Sequence, residues 1–272
     1  MKTNTVNLGP TPPSVNPAPL ITLTTDFGLA DPYVGVMKGV ILGRCPFARL
    51  IDLTHHIPPQ DVLAARLALE DAHPFFPAAT LHVAVVDPGV GTPRAVLWAR
   101  TVTARFLAPD NGLLSFLEPE QILELRRVEN PELMLHPVSR TFHGRDVFAP
   151  VAGDLAGGLD AADLGPVTGE LLRLTLPRLV VADGTLRGEI LTFDHFGNAL
   201  TNLREPDLPR AASKVRVAGA TLPLVGSYAA VPQGAPLALL GSGGRLEISV
   251  REGSARQVLA LQRGDPVELG TS

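Results

Sequence analysis

The sequence predicts an α/β protein: a mostly parallel sheet flanked by helices, followed by a second, compact β domain. Three observations carry that expectation. Apolar β-branched runs alternate with helical spacing up to about residue 165, the pattern of a parallel α/β sheet. From Leu174 onward the apolar segments become short and alternating, separated by Gly, Pro and Asn, as in a sandwich or barrel. Hydrophobic residues make up 45% of the chain, enough for a substantial core in each part.

The elements follow in order. Leu20–Thr25 is an apolar, β-branched run ending at Asp26-Phe27-Gly28, a buried strand feeding a turn. Val34, Met37, Val40 and Ile41 then recur at helical spacing between about Asp31 and Leu42, with Gly43 as the stop signal. A strand is expected at Arg49–Leu53, a helix at about Asp61–Ala72 and a third strand at Leu81–Val86, which ends at Asp87. The boundary falls within 165–180, taken as 170/171, through LGPVTGELLRLTLP. Beyond it, strands are expected at Val180–Ala182, Leu186–Phe193, Lys214–Val217, Ala220–Leu224, Pro236–Leu240, Arg245–Val250 and Pro266–Leu269.

Several function classes are excluded by what the chain lacks. Residues 1–19 are polar and proline-rich and read as a disordered tail without the apolar run of a secretory signal. No run approaches the ~18 apolar residues of a membrane span. The net charge is −4 with Lys and Arg scattered, so a nucleic-acid partner is not expected. Cys45 is the single cysteine, which rules out an internal disulfide or a thiolate metal cluster and points to the cytoplasm. His55 and His56 sit on an extended segment, where neighbours face opposite ways and seldom share one ion. No metal site is expected.

Four clusters mix Gly or Pro with ionisable groups directly after apolar runs: TTDFGLADPYVG (24–35), VDPGVGTPR (86–94), TFHGRDVFAP (141–150) and FDHFGNALTN (193–202). Asp26 and Asp87 sit at the carboxyl ends of expected parallel strands, where such sheets bind ligands. Any one cluster is also what an ordinary turn looks like; four together point to an active site. The glycine loop after Asp87 lacks the Lys-Ser/Thr of a phosphate-binding loop.

With APDNGLL (108–114) and GSGGRLEISVREG (241–253), these clusters make six motifs in order over residues 20–265. The chain resembles the S-adenosylmethionine (SAM) hydroxide adenosyltransferase family, which is related to the fluorinases and chlorinases. The resemblance implies a three-layer N-terminal α/β domain (20–170) and a small C-terminal β-barrel (171–272). It implies hydrolysis of SAM, as substrate and with no cofactor, to adenosine and methionine. It also implies a homotrimer with sites between the α/β domain of one subunit and the barrel of the next. The family's reactive set maps onto Asp87, Arg94 and His143. Arg94 would favour hydroxide character in the attacking water, and either Asp87 or His143 would take its proton.

The binding roles implied by the resemblance are these. Asp26 would hold the ribose hydroxyls, with Phe27 shaping the turn and Asp31 assisting in the same loop. Asp194 would pair with the methionine ammonium, Asn198 would read the adenine edge and Phe196 would pack on the ring. Ser242 and its glycines would present backbone donors to the methionine carboxylate. Arg251 and Gly253, with Glu252 between them, would close the adenine end. Asp87 and His143 stand where the halogenases carry aromatic residues, and Gly144 where the fluorinases carry a halide-binding serine. Tyr33 replaces a small polar residue. A carboxylate at the nucleophile position repels halide, so halogenation is not expected; a sensor that binds without turnover would have no use for the Asp87–Arg94–His143 set. Arg145 and Asp146 are expected to pair with each other or to cap a helix opening at Val147.

Overall fold

A computed structural model describes residues 18–210 and 212–270. Of the tail expected at 1–19, residues 1–17 lie outside the described residues, while the Pro19 carbonyl accepts from the Arg49 N–H at 2.9 Å. The chain divides into two compact units, one through Leu172 and one from Arg173.

The first unit is a six-stranded sheet with helices on both faces. In chain order it contains β1 (Leu20–Thr25), α1 (Tyr33–Arg44), β2 (Arg49–Thr54), α2 (Val62–Ala72), β3 (Thr80–Val85), β4 (Val96–Arg100), β5 (Ala104–Pro109), β6 (Glu124–Arg127) and α3 (Ala149–Gly157). The sheet order is β2-β1-β3-β5-β4-β6. β1 pairs parallel with β2 and β3, and β3 with β5, while β4 runs antiparallel between β5 and β6. Strand periodicity divides the core. Ile21, Leu23, Leu81, Val83 and Val85 join Met37 and Ile41 of α1 and Val151 and Leu155 of α3 on one face. Ala84, Val86 and Leu97 join Ala64, Ala65 and Leu69 of α2 on the other. The three-layer expectation holds.

Two local expectations are corrected. Helix α1 begins at Tyr33, after Pro32, and runs through Gly43 to Arg44. Gly43 does not stop it; Pro46, two residues beyond the helix, disfavours the helical conformation at Cys45, which sits at φ −135°, ψ 84°. The segment expected to start a helix at Val147 starts it three residues earlier, with a π-helical turn over Gly144–Phe148 that runs into α3. π turns widen the helix by one residue and recur at functional sites.

The second unit is a curled antiparallel sheet. Its strands are β7 (Val180–Ala182), β8 (Thr185–Phe193), β9 (Ala199–Arg204), β10 (Lys214–Val217), β11 (Ala220–Pro223), β12 (Pro236–Leu240), β13 (Arg245–Val250) and β14 (Pro266–Gly270). The order is β11-β10-β14-β8-β9-β13-β12, with β7 beside β8. A bridge from Leu224 to Ala238, with the Val225 N–H donating to the Ala238 carbonyl at 2.9 Å, brings the two ends of the sheet together. Closure removes the exposed strand edges, and the interior is filled by Leu186, Ile190, Leu203, Ile248 and Val267. Of the alternatives that periodicity left open, the barrel-like form is the one adopted.

Candidate active site

The candidate reactive group lies at the carboxyl ends of β1 and β3 in the first unit. Val86 is fully buried, and it carries the chain from β3 to Asp87 at the sheet edge. The loop then doubles back so that Arg94 faces Asp87. The Arg94 Nε donates to Asp87 Oδ1 at 2.9 Å and to Oδ2 at 2.8 Å, and Arg94 Nη2 donates to Oδ2 as well. Nη2 also donates to His143 Nδ1 at 2.8 Å. The side chains of Asp87 and Arg94 are 5% and 11% exposed, so this pairing is shielded from water and stronger than a surface pair. Gly91 makes the loop possible. Its φ is +79°, and a Cβ there would lie 2.3 Å from the Arg140 carbonyl oxygen.

Guanidinium only donates, so the Arg94 contact requires an unprotonated Nδ1 on His143, and the neutral ring carries its proton on Nε2. The electrostatics agree. Burial lowers the His143 pKa below the usual histidine value and the Arg94 charge lowers it further, against opposing effects of Asp87, Asp146 and the Ser139 backbone. His143 opens the π turn. That turn is anchored by Asp146, which accepts from the Ser139 N–H at 2.8 Å and from Arg145 Nε at 2.6 Å. Burial pushes the Asp146 carboxyl up, yet the Arg145 and Ser139 hydrogen bonds outweigh it and the net shift is downward. Of the two uses expected for Arg145 and Asp146, the ion pair is present.

Asp26 is held by a backbone donor. The Gln60 N–H donates to Asp26 Oδ2 at 2.7 Å. Gly28, with φ +67°, donates its N–H to the His55 carbonyl at 2.8 Å. The Thr25 hydroxyl meets His55 Nδ1 at 2.8 Å. His55 is buried while His56 is exposed, so the two face apart, and His55 serves to brace the Asp26 turn. Asp26, Phe27, Asp87 and His143 line one cavity of about 380 Å³, with Tyr33 and Phe142. Phe27, Tyr33 and Phe142 pack edge to face, with centroids 5.2–6.1 Å apart. Asp31 lies exposed in the loop before α1 and outside the lining. Tyr33 and Phe142 were not among the expected site residues, although both stand inside the quoted clusters.

In the second unit Phe196, Asn198 and Gly253 line a separate cavity of about 470 Å³, together with Tyr228 and Glu252. Asp194 is bonded to Asn198: its Oδ1 accepts from the Asn198 N–H at 2.8 Å and its Oδ2 from Nδ2 at 2.9 Å. A carboxylate can only accept, so the Asn198 amide is turned with its oxygen away from Asp194. Phe196 is 73% exposed. Ser242 sits exposed in the turn between β12 and β13. Arg251 uses its N–H on the Ala235 carbonyl, its own carbonyl on Gly234 and its Nη1 on the Val231 carbonyl. Neither Asp194, Ser242 nor Arg251 lines this cavity. Tyr228 belongs to none of the motifs and had no signal in the sequence. Its hydroxyl donates to Glu247 at 2.6 Å, and burial together with that carboxylate pushes its pKa up to about 12.

Comparison with known proteins places this geometry. Residues 21–165 match the N-terminal domain model of the SAM hydroxide adenosyltransferases, and residues 188–268 match the C-terminal domain model. An (R)-S-adenosyl-L-methionine hydrolase of Thermus thermophilus is 45% identical over 257 residues, covering 90% of this chain and 97% of that one. A fluorinase of Actinoplanes is more distant, 28% identical over 86% of this chain and 91% of its own. The crystal structure of an uncharacterized conserved protein from Thermotoga maritima superposes with a TM-score of 0.85 at 37% identity, covering 92% of this chain and 99% of that one. The chain belongs to the SAM hydroxide adenosyltransferase family.

Proposed function

We propose that the protein hydrolyses S-adenosyl-L-methionine to adenosine and L-methionine by attack of water on the ribose 5′ carbon. One observation carries the reading: a carboxylate, Asp87, held on the wall of a cavity by an arginine that a neutral histidine braces from the other side. In the reaction a water oxygen bonds to C5′ as the C5′–S bond breaks, and its electron pair stays on sulfur. Methionine leaves as a neutral thioether and needs no acid. What the site must supply is an oriented water and a place for its proton. Asp87 fits as the acceptor. The Nδ1 lone pair of His143 is already taken by Arg94, so His143 is a positioning residue for the guanidinium. The reaction as written calls for no cofactor.

Asp26 would hold the ribose hydroxyls, with Phe27 and Tyr33 against the sugar and Asp31 near the rim. In the barrel unit, the Asn198 oxygen would accept from the adenine amino group while the exposed Phe196 packs on the ring. Asp194, Ser242, Arg251 and Gly253 keep the binding roles the resemblance gives them, with Arg251 restricted to shaping the strand end because its backbone groups are engaged. We place the chain in the cytoplasm as a homotrimer, in which the barrel of one subunit completes the cavity of its neighbour. Among the described residues no helix is long and apolar enough to cross a membrane.

Two features favour water over halide. The Asp87 carboxylate at the nucleophile position can take a proton from water but offers a halide only acceptor oxygens. A side chain at Gly144 would also meet Met37 Sδ and Phe142 Cε2 at 3.1 Å and Phe27 Cε2 at 3.2 Å, which leaves little room for a serine. Chromatography after incubation with SAM tests the proposal: adenosine and methionine should appear in equal amounts. Methylthioadenosine, or unconsumed substrate, would reject it.

A further inference from the structure

A second cavity, of about 250 Å³, lies on the far side of the Arg94–His143 contact. Arg94 lines this cavity and not the first; Asp87 lines the first and not this one. Among the described residues His143 is the one that lines both. The partition between the two spaces is therefore an imidazole and a guanidinium, joined by a hydrogen bond of 2.8 Å. The second cavity has a mixed lining. Arg94, Arg127 and Glu129 supply polar groups, and Val96, Val128 and Val138 supply apolar wall. A polar space of this volume accommodates several waters, at roughly 30 Å³ each.

We propose that this second cavity is the solvent port of the active site: when the Arg94–His143 contact parts, water passes to Asp87 and the released proton leaves, while substrate fills the first cavity. The inference rests on the hydrolase reading. Each turnover consumes one water and releases one proton: the water oxygen joins C5′, sulfur keeps the electron pair of the broken bond, and the proton passes from Asp87 to solvent. A small ligand in its pocket has about 70–90% of its surface buried, so the front entrance is obstructed while the reaction proceeds. The rear cavity reaches the same histidine without crossing the substrate. A network of charged side chains on its wall also gives water the two to four partners it needs to stay ordered.

Val138 tests this, because it lines the second cavity and not the first. The experiment measures hydrolysis by the purified protein, by Val138→Phe and by Val138→Ala, in water and in water containing methanol. Methanol attacking C5′ would give 5′-O-methyladenosine, and the ratio of that ether to adenosine does not depend on how much of a variant is folded. Narrowing the port with Val138→Phe should lower kcat by about tenfold while leaving substrate Kd within about twofold, since it hinders a step other than binding. It should also lower the ether-to-adenosine ratio, and Val138→Ala should raise it. A ratio that is the same in all three proteins, including one of zero, or an unchanged kcat in Val138→Phe, would overturn the port. Absence of turnover in the parent protein would instead overturn the hydrolase reading beneath it.

Discussion

The two cavities that hold the expected site residues are built on opposite plans. In the α/β unit the ionisable groups are already paired: the shielded Asp87 with Arg94, Arg94 with His143, and Asp26 with the Gln60 N–H. In the barrel unit the cavity is faced by an exposed phenylalanine, an amide oxygen turned away from its carboxylate partner, and the flanking Glu252. Under the proposed function, charge is held fixed where it would move during the reaction, and contact surface is left open where a flat ring would pack. Preorganised polar groups spare the reorganisation that water would need in the transition state. An exposed aromatic face costs little to desolvate and packs on another ring. The comparison teaches that truncations in the two units should fail in different kinetic constants.

The largest effect is expected from Asp87→Asn, which keeps the shape and removes the proposed proton acceptor. Its kcat should fall by on the order of 10²–10⁴-fold with substrate affinity nearly unchanged; steady-state kinetics with a direct binding measurement separates the two. Gly91→Ala sharpens the same point from a distance. It forces a methyl group toward the Arg140 carbonyl at a backbone angle that favours glycine, so the loop carrying Asp87 and Arg94 must shift. A displacement near 1 Å can cost about 10²-fold in rate, and a loss of about 10–100-fold in kcat is expected. A melting curve run on the same variant shows whether the fold survives.

The barrel should behave the other way. Asn198→Ala removes the donor to Asp194 and, with it, the proposed adenine contact. Its Kd for substrate should weaken by about tenfold, the worth of one to two hydrogen bonds, with kcat held within about threefold. A collapse of kcat at constant Kd would erase the distinction between the units.

The smallest effect is on pH dependence. Arg94 is braced only while His143 is neutral, and burial and the arginine charge hold the histidine pKa below its ordinary value. As pH falls, protonation of His143 breaks the brace, so the acid limb of kcat should lie below the usual histidine pKa of about 6.5. A limb at or above that value, in a kcat profile from pH 4 to 8, would show that the His143 pKa is not lowered in the working enzyme.

Much of this was legible in the sequence, and the omissions have physical causes. Strand β1 runs over Leu20–Thr25 as its apolar run indicates, because burial on both faces leaves a β-branched stretch few other places. β4 and β5 were not among the expected elements. Their turn is made by threonine instead of Gly, Pro or Asn: the Thr101 N–H donates to the Ala104 carbonyl at 2.9 Å while the Thr101 hydroxyl accepts from the Ala104 N–H at 3.0 Å. β9, Ala199–Arg204, was also passed over, since it begins directly after the DHFGN cluster with no break in sequence. Asp194 and Asn198 read as two separate ligand contacts, yet their spacing is also that of a side chain closing its own turn, and they do close one. Spacing could not reveal that Arg94 joins Asp87 to His143, because Arg94 and His143 lie 49 residues apart.

The central claim is that water, oriented at Asp87, is the nucleophile that reaches the ribose. A single-turnover reaction in water enriched in oxygen-18, with the adenosine analysed by mass spectrometry, tests it most directly. One heavy oxygen is expected at the 5′ hydroxyl and none in the methionine. Adenosine without label, or label carried into methionine, would contradict it.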